Sequence, residues 1–217
     1  MFSAHLLFGD LNGHSAMPFE TRVSALQRFW QVCDELKPQG IGDSQCSFFD
    51  IDNDNIMAGF SNLSSMRSGT DVLKWALTLH RRLSNDRIDI SFGADLMALC
   101  KPLEWPTDRG FIEDTRRLFV PDSFVEKRSS VPRSRIIGDA LIVTARLLKL
   151  AKAAKCVVAF SSFQGGHLET NMEGLPRYLG HFKIEILNLS SSYHVLGDKA
   201  TDLLSRNVES YGIRIKA

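Results

Sequence analysis

Apolar residues along this chain recur at two different spacings, and the alternation between them predicts a mixture of strands and helices. The apolar run at residues 5–10 predicts a first strand. From Pro18 to Lys37 apolar residues recur every three to four positions, which predicts an amphipathic helix opening at the proline. Residues 69–83 and 138–154 repeat that spacing and predict two further helices.

Shorter apolar segments predict the remaining strands. Residues 45–52 and 55–60 flank an Asn53-Asp54 turn and predict a hairpin. Trp30 and Trp75 lie on the apolar faces of the first two helices, so both are expected in the core. The other predicted pieces are strands at 88–97 and 157–160, a terminal hairpin of 182–189 with 193–196, and a C-terminal extension at about 198–217 holding a helix and a last strand.

A long segment, about residues 101–135, is rich in proline and charge and predicts a connecting arm. Within it, only residues 111–119 predict a short helix. The chain has no internal repeat, low-complexity tract or flexible linker. The simplest organisation is therefore a single α+β domain over residues 1–217.

The composition is that of an ordinary soluble globular chain: 217 residues, 44% hydrophobic and 24% charged, with a formal net charge of +1. This balance gives no electrostatic reason to expect nucleic-acid or membrane binding. No apolar stretch approaches the roughly 20 residues that span a bilayer, and no signal peptide is recognisable. The four cysteines form no CxxC pair, which predicts free buried thiols in a reducing cytoplasm.

Two aspartates carry the candidate chemistry. Asp10 and Asp54 each stand where an apolar run breaks into a polar turn rich in Gly or Asn. Two carboxylates at adjacent strand ends can hold hard divalent cations, which bind nucleotide phosphates. Arg146, on the third predicted helix, adds a cation of the kind used in phosphoryl or nucleotidyl transfer. Either aspartate could instead be a turn or cap residue, and Asp52 is the nearest rival to Asp54.

The order of these motifs resembles the catalytic domain of class III nucleotide cyclases over roughly residues 4–197. Residues 8–15, FGDLNGHS, resemble that family's first metal motif, Phe-x-Asp-Ile-x-Gly-Phe-Thr. Residues 53–60, NDNIMAGF, resemble its second, Gly-Asp-x-x-Met-x-x-Phe, with Asn for Gly. Residues 138–146 resemble the helix that carries the catalytic Asn and Arg. The resemblance implies an α+β fold with a ferredoxin-like core, a central mostly antiparallel sheet, flanking helices and a dimerisation arm.

The resemblance also implies a reaction and a site. The ribose 3′-hydroxyl attacks its own α-phosphate and expels pyrophosphate, with Arg146 stabilising the transition state. In the family the metal acids and the arginine come from opposite subunits, which implies a head-to-tail homodimer with two shared sites. The family's transition-state Asn falls at Ile142, which donates no hydrogen bond. The resemblance also implies that Asp10, Leu11 and Asp54 hold two Mn²⁺ or Mg²⁺ ions per site. It implies that the N–H groups of the loop, from Leu11 through Asn12 and Gly13 to His14, cradle phosphate. Lys183 is the implied ligand of the terminal phosphate.

Two further positions bear on which nucleotide base the site would select. Adenylate cyclases use a Lys and an Asp or Thr where this chain has Asp50 and Arg135. An ionised Asp only accepts hydrogen bonds and Arg only donates them, so the pair suits an N–H next to a C=O. Uracil and guanine offer that pattern, cytosine only in part, and adenine fits worst. The two residues could also form an ordinary ion pair or never meet.

A small, divergent cyclase domain also resembles the pyrimidine cyclases of bacterial Pycsar anti-phage systems. That resemblance implies cyclic UMP made from UTP in the cytoplasm and read by a separate effector protein. Cytidylate, guanylate and adenylate cyclases remain open, as does a catalytically inactive cyclase-like module. A diguanylate cyclase is disfavoured because its hairpin signature is absent from residues 45–60.

Overall fold

The computed structural model describes residues 2–37, 48–61, 69–103, 117–121, 139–161 and 174–216. Strands and helices alternate along these ranges as the apolar spacing predicts. The strands are β1 (Phe2–Leu11), β2 (Phe48–Asp52), β3 (Asn55–Ser61), β4 (Ile90–Leu103), β5 (Arg117–Pro121), β6 (Val158–Ser161), β7 (Ile184–Asn188) and β8 (Ser210–Ile215). The helices are α1 (Phe19–Glu35), α2 (Gly69–Ser84), α3 (Asp139–Ala153), α4 (Leu175–Tyr178) and α5 (Thr201–Leu204), with 3-10 helices at His14–Ala16 and Ser190–Ala200.

The strands form one sheet in the order β2-β3-β1-β4-β6-β8-β7, with β5 paired to β4 beside this path. The pairs β4–β5 and β4–β6 are parallel, and the other pairs are antiparallel. The predicted α+β fold, with a mostly antiparallel central sheet and flanking helices, is therefore confirmed.

The two faces of the sheet are covered by different helices. Phe92 and Ala94 of β4 belong to the core that α1 and α2 cover. Gly93 lies between them and faces the other way, because side chains alternate along a strand. A Cβ atom at Gly93 would overlap the main-chain atoms Thr144 O and Leu148 N of α3. The glycine therefore lets α3 lie directly on the sheet, on the face that also carries Asp10.

The three long predicted helices are confirmed as α1, α2 and α3, and the predicted 45–60 hairpin is confirmed as β2 and β3 for its described part. Trp75 is buried, as expected, and its ring packs edge-on against Phe49 and Phe60. The expectation for Trp30 was wrong. Its side chain is 42% exposed, because its indole Nε1 reaches out to donate to the Asn53 carbonyl at 2.8 Å.

Two other predictions need correction. Residues 117–119 were expected in a helix but lie in β5, parallel to β4; of the rest of the predicted 101–135 arm, residues 104–116 and 122–135 lie outside the described residues. The terminal hairpin was also wrong, because β7 pairs with β8 and residues 193–196 lie in a 3-10 helix. Tyr193 and Leu196 are three residues apart, the repeat of a 3-10 helix, and both are buried on one side of it.

The predicted free thiols are confirmed for Cys33 and Cys156, both of which are buried. Burial raises the pKa of each thiol, so both stay protonated at neutral pH and neither is a thiolate nucleophile. The side chains of Cys46 and Cys100 lie outside the described part of the chain. Within that part, no helix combines the length and apolarity needed to cross a membrane.

Candidate active site

Main-chain pairing brings Asp10 and Asp54 to the same end of the sheet. Asp10 is opposite Asn55 in the β1–β3 ladder, and the Leu11 N–H donates to the Asp54 carbonyl at 3.0 Å. Asn53 has φ 53°, a left-handed conformation that Asn tolerates and that closes the β2–β3 turn. Asp52 is the partner of Asn55 on β2, one strand farther from Asp10. The turn therefore places Asp54, rather than Asp52, next to the end of β1.

A lysine that sequence reasoning missed contacts the first carboxylate. Lys152, in the last turn of α3, places its Nζ on the Asp10 Oδ2. The two side chains are 35% and 22% exposed, so this ion pair contributes little to stability. Its importance is positional, since it shows that the Asp10 carboxylate is placed to hold a positive charge on the α3 face of the sheet.

The second carboxylate has a histidine partner. His14 Nδ1 lies 3.1 Å from Asp54 Oδ2, and the Asn55 side chain donates to Asp54 Oδ1 at 3.0 Å. His14 is buried, and its Nε2 has no hydrogen-bond partner among the described residues. His14 stands where the resembled motif has Phe, and this departure was the only sequence signal for the contact. The imidazole contact restricts the orientation of the Asp54 carboxylate.

The loop after Asp10 supplies fewer free donors than the sequence suggests. The N–H groups of Leu11 and Asn12 donate to the carbonyls of Asp54 and Asp89, at 3.0 and 2.9 Å. Gly13 has φ 69°, and a Cβ atom there would meet no heavy atom within 4 Å, so the space beside it is open. The phosphate-cradle hypothesis therefore narrows from Leu11–His14 to Gly13 and His14.

The Asn12 side chain lies beyond the strand ends rather than toward Asp54. Its Nδ2 is 2.9 Å from Asp89 Oδ2 and 2.8 Å from Ser91 Oγ. Ser91 lies at the start of β4, the strand next to β1, and Asp89 lies just before that strand. Asn12 therefore joins the end of β1 to the start of β4.

Arg146 faces away from both aspartates in its own chain. Its Nε donates to Asp202 Oδ2 of α5 at 2.6 Å. Arg146 precedes Lys152 by six residues, which is about 9 Å along a helix axis and two-thirds of a turn out of phase. Ile142, one turn earlier on the same side of α3 as Arg146, is 36% exposed. Asp10, Asp54 and Arg146 therefore do not converge within one chain.

The other predicted binding residues are separated from the aspartates or lie outside the description. Lys183 is exposed just before β7, where its carbonyl accepts a hydrogen bond from Lys216 N at 2.8 Å. Four strand pairings separate β7 from β1, which is roughly 19 Å across a sheet. Asp50 lies on β2 opposite Met57, and Arg135 lies outside the described residues.

The two aspartates fit a divalent cation that completes its coordination with substrate. In the described ranges, no three or more His, Cys, Asp and Glu side chains are grouped as a ready metal site. Mg²⁺ commonly binds through one or two carboxylates together with substrate phosphates. Carboxylate oxygens are hard ligands that also suit Mn²⁺. The Lys152 ammonium already brings one positive charge to Asp10.

Comparison with known proteins identifies the fold. No family model matches the sequence, and no curated protein matches it. The structure is similar to that of a bacterial light-regulated adenylyl cyclase, with a TM-score of 0.51 and 12% identity over 99% of this chain. This chain spans about half, 51%, of the length of that protein. It is also similar to the adenylyl cyclase CyaB from P. aeruginosa, with a TM-score of 0.50 and 11% identity, covering 100% of this chain and 95% of that one. The chain therefore has the fold of a class III nucleotidyl cyclase domain.

Proposed function

We propose that this protein is a nucleotide cyclase that converts a nucleoside triphosphate into a 3′,5′-cyclic nucleotide and pyrophosphate. The observation that carries the proposal is the hydrogen bond from Leu11 N–H to the Asp54 carbonyl. It places the main chain of Asp54 beside the end of β1, so that both aspartates stand at one sheet end of a cyclase fold.

In this proposal Asp10, the main chain at Leu11, and Asp54 hold two Mn²⁺ or Mg²⁺ ions per site. Such ions, when bound, activate the 3′-hydroxyl and neutralise the triphosphate. His14 keeps the Asp54 carboxylate oriented, and the open main chain at Gly13 lets phosphate oxygens approach. Lys152 would release Asp10 when a metal ion binds there, because the ammonium and the metal ion would compete for the same carboxylate oxygen.

The transition-state cation comes from a second subunit. Arg146 lies with Asp202 on the far side of α3, so its own Asp10 is out of reach. A head-to-tail homodimer brings Arg146 of the partner subunit to the α-phosphate, and Lys183 of the partner subunit to the terminal phosphate. The dimer therefore has two sites, each built from the acids of one chain and the cations of the other.

UTP is the proposed substrate, and cyclic UMP the proposed product. The preference rests on Asp50 as acceptor and Arg135 as donor, which match the N3–H and a carbonyl of uracil. The resemblance to Pycsar cyclases extends the proposal to a cytoplasmic anti-phage second messenger that a separate effector reads. Cyclic CMP, cyclic GMP and cyclic AMP are the alternative products.

Two observations favour a second candidate, a catalytically inactive cyclase-like module that binds nucleotide. Lys152 neutralises Asp10, and Ile142 replaces the transition-state Asn with an exposed apolar side chain. An inactive module would keep the fold and the nucleotide site but would have no use for a free metal carboxylate.

The purified protein, incubated with ATP, GTP, CTP and UTP and Mn²⁺ in separate reactions, tests the proposal. Mass spectrometry of the products is expected to show cyclic UMP from UTP and much less product from the others. Asp54→Asn protein serves as the control for contaminating activity. Cyclic GMP would keep the base argument and remove the Pycsar analogy. No product from any triphosphate, combined with measurable nucleotide binding, would favour the inactive module.

A further inference from the structure

A cavity of about 580 Å³ opens at one end of the sheet, where β1 and β8 finish and β4 and β6 begin. Its volume lies within the range of small-molecule sites. Asp54 and His14 are not part of its wall, so it is distinct from the hairpin side of the candidate active site. The lining includes Asn12, Asp89, Lys152, Lys155 and Arg214.

The charges that face this cavity are mostly positive. Lys152 and Lys155 come from the C-terminal end of α3, and Arg214 comes from β8. Arg214 Nη2 donates to the Ala154 carbonyl at 2.8 Å, which fixes the guanidinium beside that helix end. Asp89 is the one acidic side chain in the lining, and it already accepts from Asn12 at 2.9 Å. An anion entering the cavity therefore meets three cations, of which Arg214 also contacts Glu185 at 3.3 Å and Lys152 also contacts Asp10.

Helix geometry alone does not explain this convergence. Lysines near a helix C-terminus are favoured by the helix dipole, and that accounts for Lys152 and Lys155 singly. It does not account for an arginine from a separate strand directed at the same space. Val157, Cys156 and Ile215 add an apolar wall, which suits a ligand with an organic part as well as an anionic group.

Lys152 connects the cavity to the active site. Its side chain lines the cavity, while its ammonium contacts the Asp10 carboxylate. An anion bound in the cavity would compete with Asp10 for that ammonium. When the Lys152 ammonium contacts the anion, it no longer neutralises the Asp10 carboxylate. Binding of an anion in the cavity and the charge at the proposed metal site are therefore coupled.

We propose that this cavity binds the phosphate group of a small phosphorylated molecule through Lys152, Lys155 and Arg214, and that this binding releases Asp10 for metal. Two sources can supply that phosphate, the β- and γ-phosphates of the substrate itself or a separate phosphorylated effector. The binding step stands independently of the proposed function, whereas the consequence for Asp10 rests on it.

Titration calorimetry with inorganic phosphate, in metal-free buffer, tests the binding step without any turnover. Three proteins are compared: the unaltered chain, Lys155→Gln, and Lys149→Gln as the matched control. Lys149 is an exposed lysine of the same helix that does not line the cavity. Loss of one charged phosphate contact is expected to weaken binding about tenfold in Lys155→Gln and to leave Lys149→Gln unchanged. No binding to the unaltered chain, or equal loss in both variants, would overturn the proposal.

Electron paramagnetic resonance of Mn²⁺ tests the coupling. Phosphate is expected to raise Mn²⁺ affinity in the unaltered chain and in Lys149→Gln, and to do so much less in Lys155→Gln. Chelation of Mn²⁺ by phosphate is the same in all three samples and cancels in the comparison. Unchanged Mn²⁺ affinity in every protein would refute the release of Asp10.

Steady-state kinetics separates the two sources of phosphate. If the substrate supplies it, inorganic phosphate inhibits competitively and Lys155→Gln raises KM with kcat little changed. If a separate effector supplies it, phosphate activates the unaltered chain, and Lys155→Gln is not activated. A protein that binds phosphate at this cavity but makes no cyclic nucleotide would retain the cavity site and refute only the proposed function.

Discussion

The acidic and basic parts of the candidate site are built in different ways. Asp10 and Asp54 are placed by main-chain pairing, through the β1–β3 ladder and the Leu11 to Asp54 hydrogen bond. Arg146 and Lys152 are placed by side-chain ion pairs with Asp202 and Asp10. Strand register changes only when the sheet is disrupted, whereas part-exposed ion pairs exchange partners at little cost in free energy.

This difference assigns separate tasks to the two parts. Main-chain pairing within one chain fixes the positions of both aspartates. In the proposed function and the proposed cavity site, the cations redistribute among Asp10, Asp202, a ligand in the cavity and a second subunit. Control of the proposed activity is therefore expected to act on the cations, while loss of either carboxylate is expected to remove most of that activity.

The largest expected effect on the rate comes from changing one of the two carboxylates. Asp54→Asn keeps the size of the side chain but removes the charge that binds metal, and kcat is expected to fall at least about 100-fold. Asp52→Asn, on the neighbouring strand, is the matched control and is expected to stay within about twofold of the unaltered chain. Rates of cyclic nucleotide formation under saturating Mn²⁺ measure both. The reverse ranking would move the metal site to Asp52.

The next effect concerns α3, which carries both Arg146 and Lys152. Gly93→Ala forces a Cβ atom into the α3 main chain, and the free energy of unfolding is expected to fall by about 3 kcal/mol. Gly13→Ala meets open space and is strained only by its positive φ, so it is expected to cost about 1 kcal/mol. Urea unfolding of both variants measures the difference, and equal losses would contradict this seating of α3.

Mixing tests whether the cations act across subunits. Co-expressed Asp54→Ala and Arg146→Ala chains each lack one part of the site, but the heterodimer has one intact site. Half of the dimers are heterodimers with one of two sites intact, so about a quarter of the unaltered activity is expected. Each variant expressed alone is the control and is expected to be inactive. A mixture as inactive as its components would place the whole site within one chain.

The smallest effect isolates the ion pair at Asp10. Lys152→Gln removes a cation that competes for the carboxylate, so Mn²⁺ is expected to bind about threefold more tightly, in keeping with a part-exposed pair. Lys149→Gln is again the control with no expected change. Titration of Mn²⁺ in phosphate-free buffer provides the measurement. Weaker Mn²⁺ binding in Lys152→Gln would mean that the lysine supports the metal site rather than opposing it.

Local patterns predicted the elements well where one segment decides its own structure. The helices α1 to α3 and the β2–β3 hairpin follow from apolar spacing and from the Asn53-Asp54 turn. The failures concern partners that lie far away in the chain. Residues 182–189 read as a hairpin strand, yet their partner is residues 210–215, which no local pattern identifies.

The candidate site divides in the same way. The motifs at residues 8–15 and 53–60 located both aspartates from sequence. Lys152 was missed, because it follows Asp10 by 142 positions and resembles any solvated lysine at a helix end. The imidazole of His14 was missed as a partner of Asp54, because histidine in a turn has no distinctive spacing. Contacts of this kind depend on how α3 and the loop lie on the sheet.

The position of β8 has a consequence for how the protein is made. β8 lies between β6 and β7, so it is the last described strand along the chain and yet an interior one in the sheet. During synthesis β6 presents an open edge, and β7 has no described neighbour until β8 has left the ribosome. Unpaired edges of this kind recruit strands from other chains. The nascent protein is therefore most prone to aggregation in the interval before β8 leaves the ribosome, when a chaperone has the most to protect.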